Sequence, residues 1–266
     1  YTAGLFATVD DRDADLGLPT AERLGCAPGM VRVTGFKKDW LKTFLVLEDP
    51  RACKIKGYGG SAKYCALYDK DWVQEQYVAR AIPSRAMDFC IDQFEYPNIP
   101  FENPAVMVSF NEAEALCKNA GKRICSDDEW TFACEGEDAR PYPYGDGYAR
   151  DSDACTIDIS VKLTSRLKTD ANKDDPDGVK TVDKLWAGTP SGSKPHCRSP
   201  FGVYDMTGNV DEFTRASVKG RSRYASVMKG GWWGPVRARC QPATTEHNEY
   251  FHIYEAGFRC CSAIRR

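Results

Sequence analysis

The chain has 266 residues, a formal net charge of −2 and 12 cysteines. So near-neutral a balance gives no basis for binding nucleic acid or an anionic membrane by bulk charge, and there is no run of about eighteen apolar residues to span a bilayer. The length accommodates one large domain or two small ones.

The cysteines are even in number, widely and irregularly spaced, and none sits in a CxxC pair. This spacing argues against a zinc ribbon, a thioredoxin-type site or a haem-attachment motif. Dispersed cysteines read as disulfides and hence as an oxidising compartment, the alternative being a cytosolic chain with many buried thiols. The sequence opens at Tyr1 without a charged n-region and apolar h-region, so any leader is expected to be removed or to lie outside it.

Residues 1–25 are polar and acidic, with DDRDAD at 10–15, and are expected to form an extended arm ahead of a domain over 26–266. CAPGMVRV at 26–33 begins the first apolar alternation and predicts a strand. Residues 34–85 show no clear period and read as an insertion; local spacing alone pairs Cys53 with Cys65 there, and Cys155 with Cys197 further on. From Asp88 the pattern sharpens, and FCIDQFEYPN reads as a strand and a turn. The segment VSFNEAEALCKNAGKRICSDDEWTFACEG predicts two short helices. Ser109 with Glu112 and Ser126 with Glu129 form capping boxes, and Gly121 and Gly136 supply the stops. Apolar residues at 113, 116 and 117, and at 130, 133 and 134, give each helix one buried face. Residues 136–200 are rich in Gly, Pro, Asp and Ser, and a loop region this long needs pins such as cysteines or metal ions. VMKGGWW and AGFRCCSAI predict closing strands.

Five blocks now stand in order between about Cys90 and Cys261: AGKRICSDDEWTFAC, PYPYGD, SPFGVYDMTGNVDEF, VMKGGWW and GFRC. Together they resemble the formylglycine-generating (sulfatase-modifying factor) family, and CAPGMVRV resembles that family's opening strand. The resemblance implies an α+β domain, irregular and low in secondary structure, C-type-lectin-like at its centre and stapled by disulfides and calcium. It also implies the pairs Cys117–Cys260 and Cys134–Cys240; Cys26, Cys90, Cys125 and Cys261 stay unassigned.

The family includes a copper oxidase that makes formylglycine, iron enzymes that form carbon–sulfur bonds, and non-catalytic surface and secretion-system components. In the oxidase, two thiolates just after a Gly-Gly-Ser hold copper(I), a metal that requires soft sulfur. Here the segment reads GGWWGPVRARC, is shorter, and has only Cys240, at a disulfide position of the family. No copper is therefore expected. For iron, His247 and His252 with Glu246 or Glu255 could supply a facial triad, the alternative being exposed or otherwise satisfied histidines.

The resemblance also carries over a calcium site made by the side chains of Asp205 and Glu212 and the carbonyls of Gly208 and Val210, hard oxygen donors of the kind calcium takes. Asp211 stands where the family has tryptophan. The alternative is an Asx-type turn without metal. A second family calcium site maps to Thr156, Ile157, Asp177 and Val179, with Thr156 in place of asparagine; a solvated acidic loop is the competing reading. DANKDDPDG at 170–178 lacks the glycine and glutamate of an EF-hand. Trp232, Trp233 and Tyr250, with Arg237 and Arg239, mark an expected contact surface, against the bland reading that large aromatics are core. The sequence thus predicts a non-catalytic binding or structural domain that is secreted, periplasmic or at the cell surface. Its expected partners are other proteins of an extracellular or envelope assembly. The alternative is a copper or non-haem iron oxidase with an unrecognised site.

Overall fold

The computed structural model describes residues 25–59, 62–160, 183–217 and 220–265. The predicted arm, apart from Gly25, lies outside these residues. Strand β1 (Met30–Lys38) buries Val31 and Val33 and pairs antiparallel with β4 (Ser84–Asp92), from Met30 opposite Asp92 to Lys38 opposite Ser84. It starts later and runs further than the predicted 26–33, because β4 gives it a partner along its whole length.

The described residues of the segment at 34–85 form regular elements. After β1 come α1 (Trp40–Leu47), a hairpin of β2 (Cys53–Gly59) and β3 (Ala62–Tyr68), and α2 (Lys70–Ala79), before the chain re-enters the sheet as β4. Asp39 and Asp69 cap the two helices by accepting from the N–H groups of Lys42 and Trp72. Val46, Leu47, Val73 and Tyr77 share one core with Tyr142, Tyr144 and Tyr148. The insertion is therefore packed against the glycine-rich loop region.

Helices α3 (Phe110–Asn119) and α4 (Asp127–Glu135) both carry complete capping boxes, at Ser109/Glu112 and Ser126/Glu129. Between them lies the short strand β5 (Arg123–Ile124). A second sheet combines β6 (Asp211–Arg215), β7 (Ser226–Lys229), β8 (Ala243–Thr244) and β9 (Ala256–Phe258) in the order β8-β7-β6-β9. Strand β10 (Cys260–Ser262) returns to the first sheet between β4 and β5. The result is a mixed α+β domain of low helical content.

All twelve cysteines are paired. Cys117–Cys260, Cys134–Cys240, Cys53–Cys65 and Cys155–Cys197 form as expected, and the pairs left open are Cys26–Cys90 and Cys125–Cys261. Adjacent Cys260 and Cys261 point to opposite faces of β10, so one reaches α3 and the other the chain just after β5. Three of the bridges close loops of 143, 136 and 106 residues. In the chain-entropy model each stabilises by up to about 5 kcal/mol. The Cys155–Cys197 bridge and buried Tyr142, Tyr144 and Tyr148 pin the described parts of the 136–200 region.

Candidate functional site: a closed charged centre and an open groove

A tight turn delivers the chain into β6. Asp205, Gly208 and Asn209 have positive φ of 56°, 79° and 54°. A Cβ on Gly208 would lie 2.3 Å from the Thr156 carbonyl oxygen, so only glycine fits there. The turn feeds Asp211 and Glu212 onto opposite faces of β6, as strand alternation requires.

Glu212 faces the closed side and is fully buried. Its carboxylate accepts from Arg259, with Nη2 at 2.6 Å and Nε at 2.7 Å, and from Trp130 Nε1 at 2.9 Å. Arg259 also donates to the Tyr204 carbonyl at 2.9 Å. Two more buried carboxyls stand in the same electrostatic neighbourhood. Asp205 Oδ2 accepts from the Gly192 N–H at 2.7 Å, and Glu95 Oε2 accepts from Ser191 Oγ at 2.7 Å and Asn209 Nδ2 at 2.8 Å. The other oxygens, Asp205 Oδ1 and Glu95 Oε1, are buried with no hydrogen-bond partner. Burial pushes Asp205 up to about 7 against the pull of the Gly192 N–H. Burial, then the charge of Asp205, drives Glu95 well above the carboxylate range.

Three carboxyls thus face one guanidinium, and two of their oxygens lack a donor. Asp205 Oδ1 is thus an unpartnered hard oxygen of the kind a cation takes, whereas Glu212 is already neutralised by Arg259. Of the second predicted set, Thr156 Oγ1 bonds Thr189 Oγ1 at 2.8 Å and the Thr156 carbonyl accepts from Asn209 N at 2.9 Å. Ile157 is core, and Asp177 and Val179 lie outside the described residues. The histidines are not gathered. His247 stacks on Phe251 with centroids 3.7 Å apart, and His252 Nδ1 lies 3.2 Å from the Tyr250 carbonyl. Among the described residues no three of His, Cys, Asp and Glu assemble at metal-binding distance.

The other face of β6 opens into a groove of about 530 Å³ whose walls include Asp211, Trp232, Arg237, Arg239, His247 and Phe251. Desolvation pushes the Asp211 carboxyl up to about 8, while the Gly231 N–H, 3.3 Å away, pulls the other way. The expected contact surface needs correction at three residues. Trp233 is wholly buried, packed edge-on against Trp186 at 4.8 Å in a cluster with Val210 and Tyr254. Arg239 is only 4% exposed, held by Tyr68 and Glu48. Tyr250 is 75% exposed but does not line the groove. Sequence reasoning missed Asp211 as a groove residue, although its place next to inward-facing Glu212 on a strand carries that signal. Nothing in the sequence pointed to Glu48 or Tyr68.

These features define a disulfide-stapled domain with an irregular centre and a groove beside its closing strands. Residues 41–264 match the model of the sulfatase-modifying factor enzyme 1-like domain, and the chain belongs to that family. Relatives named "Inactive C-alpha-formylglycine-generating enzyme 2", from Bos taurus and Mus musculus, are each 28% identical over 172 residues, 62% of this chain. The aligned stretch spans 52% and 51% of those proteins, about half their length. Among solved structures, PvdO from Pseudomonas aeruginosa superposes with a TM-score of 0.49 at 15% identity, over 88% of this chain and 94% of that one. CarF gives 0.47 at 16% identity, over 70% and 90%.

Proposed function

We propose that this chain is a non-catalytic binding domain of its family that works in an oxidising compartment outside the cytoplasm, as a component of a larger protein assembly. One observation carries this reading. Every cysteine is in a disulfide, so no thiolate pair is left to hold copper(I). The inactive relatives support it, and six disulfides support an oxidising location. The groove walled by Trp232 and Phe251 is the contact surface, aromatic and arginine side chains being frequent binding anchors. A sulfatase-type cysteine peptide should stay unconverted with or without added copper, as read by mass spectrometry; copper-dependent conversion to formylglycine would overturn the proposal. Trp232→Ala should release the chain from its native assembly, as read by co-sedimentation, and an unchanged assembly would remove the contact-surface reading.

We also propose that calcium is held through Asp205 with the Gly208 and Val210 carbonyls, while the expected fourth ligand, Glu212, stays paired with Arg259. When bound it supplies the positive charge that the buried carboxyls lack. Mass action gives about 2.7 kcal/mol of stabilisation at a calcium concentration a hundredfold above Kd. A chelator should therefore lower the melting temperature, and an unchanged value counts against calcium.

A further inference from the structure

A second cavity lies on the far side of the Arg237–Arg239 segment, under the β2–β3 hairpin. It encloses about 290 Å³, at the small end of ligand cavities, which run from roughly 300 to 1,000 Å³. The cationic side chains lining it are Lys56, Lys63, Arg237 and Arg239, four against the carboxylates of Glu48 and Asp49.

Neither carboxylate satisfies the lysines. Asp49 is held in a two-point pair by Arg51, at 2.9 and 2.7 Å, and that pair keeps its carboxyl far below the usual range. Glu48 Oε1 accepts from both Arg237, at 2.9 Å, and Arg239. Arg239 is 4% exposed, and its Nε–H is buried without an acceptor. Lys56 pairs across the hairpin with Cys65, and Lys63 with Tyr58, which sends both side chains off one face as diagonal neighbours, about 7–8 Å apart at the backbone. Both lysines are exposed, and neither has an ion-pair or hydrogen-bond partner among the described residues. The Cys53–Cys65 bridge fixes the hairpin, and Arg150 packs under the Tyr64 ring 4.2 Å from its centroid. The cavity thus combines four cations, one unsatisfied buried donor and tyrosine walls on a frame fixed by a disulfide.

We infer that this cavity is an oxyanion site that takes a sulfate or phosphate group, either free or carried on a sugar-sized ligand. The arginines and lysines supply charge-assisted donors to the oxyanion, and Tyr58, on the lysines' face of the hairpin, offers a flat face to a carrier ring. Arg237 and Arg239 also wall the groove, whereas Lys56 and Lys63 belong to this cavity and not to the groove, so the lysines are what the test addresses.

The test is isothermal titration calorimetry on the full chain at constant ionic strength, which removes the effect of bulk screening. The probes are inorganic sulfate, inorganic phosphate, glucose 6-sulfate and glucose 6-phosphate, with glucose as the neutral control. Saturable binding of at least one anionic probe, with a Kd of roughly 1 mM or tighter, is expected, and none of glucose. Esters at least about tenfold tighter than the inorganic ions identify a carried group; equal affinities identify the free ion. Lys56→Glu with Lys63→Glu should weaken binding at least about tenfold while leaving the unfolding midpoint unchanged, since both side chains are exposed. Lys56→Arg with Lys63→Arg should retain it. No saturable binding of any anionic probe, or binding that survives the double charge reversal, overturns the inference.

Discussion

The two faces of β6 carry neighbouring carboxylates and treat them in opposite ways. Glu212 is enclosed, bound by Arg259 and Trp130, and sits at the junction of the two sheets. Asp211, one residue earlier, looks into an open groove and accepts a hydrogen bond from the Gly231 N–H. The closed face is where charge holds the fold together. On the open face a carboxyl is kept buried and lightly bonded beside aromatic walls.

The sharpest break of that contrast is covalent. Replacing Cys134 and Cys240 together by serine opens a 106-residue loop that ties α4 to the segment walling the groove. It should cost up to about 5 kcal/mol in urea unfolding; a loss under about 1 kcal/mol would mean that the closed centre does not depend on its staples. Next, Arg259→Met leaves Glu212, Asp205 and Glu95 buried without their guanidinium. Removing one partner of a buried pair costs about 3–5 kcal/mol, and adding Glu212→Leu should recover much of it, because two apolar groups leave no stranded charge. If the single and double variants were equally unstable, packing would be the cause instead of charge.

A smaller effect belongs to the α4 cap. Burial raises the Glu129 carboxyl, but the Arg123 pair and the Ser126 bonds outweigh it, so the net shift is downward. A depressed acid stabilises above its unfolded value and loses that contribution as pH falls through the folded one. Glu129→Gln should therefore cost about 1 kcal/mol at neutral pH, with the gap to the parent closing below about pH 4. A gap that stays constant with pH would rule out the ionic part. The smallest change is expected in the groove: Trp232→Ala should move stability by no more than about 0.5 kcal/mol. A loss above about 2 kcal/mol would reclassify the groove wall as core.

Much of the centre was legible because its signals are local or covalent. Ser109/Glu112 and Ser126/Glu129 announced two helices at the level of hydrogen-bonding chemistry, and the GFRC and RARC cysteines fixed long-range pairings through the family resemblance. The segment at 34–85 was opaque because its order comes from elsewhere. Val46, Val73 and Tyr77 pack on tyrosines more than sixty residues away, and no periodicity within the segment reports that. The groove was legible in composition but not in orientation. The run GGWW contains one tryptophan that lines a wall and one that is wholly buried, and nothing in the composition says which is which.

The neighbouring cysteines on β10 also set the path along which the domain carries tension. A pull applied on the C-terminal side reaches Cys261 and Cys260 and passes straight into Cys125 and Cys117. The residues spanned by the Cys117–Cys260 bridge, a separation of 143, are withheld from stretching; at ~3.5 Å per residue that is about 500 Å of contour length. While the bridges are intact the domain would transmit such a force to its neighbours almost without lengthening. Reducing Cys117–Cys260 alone leaves Cys125–Cys261 to carry the load, so release of the centre under tension requires both bridges to be cut.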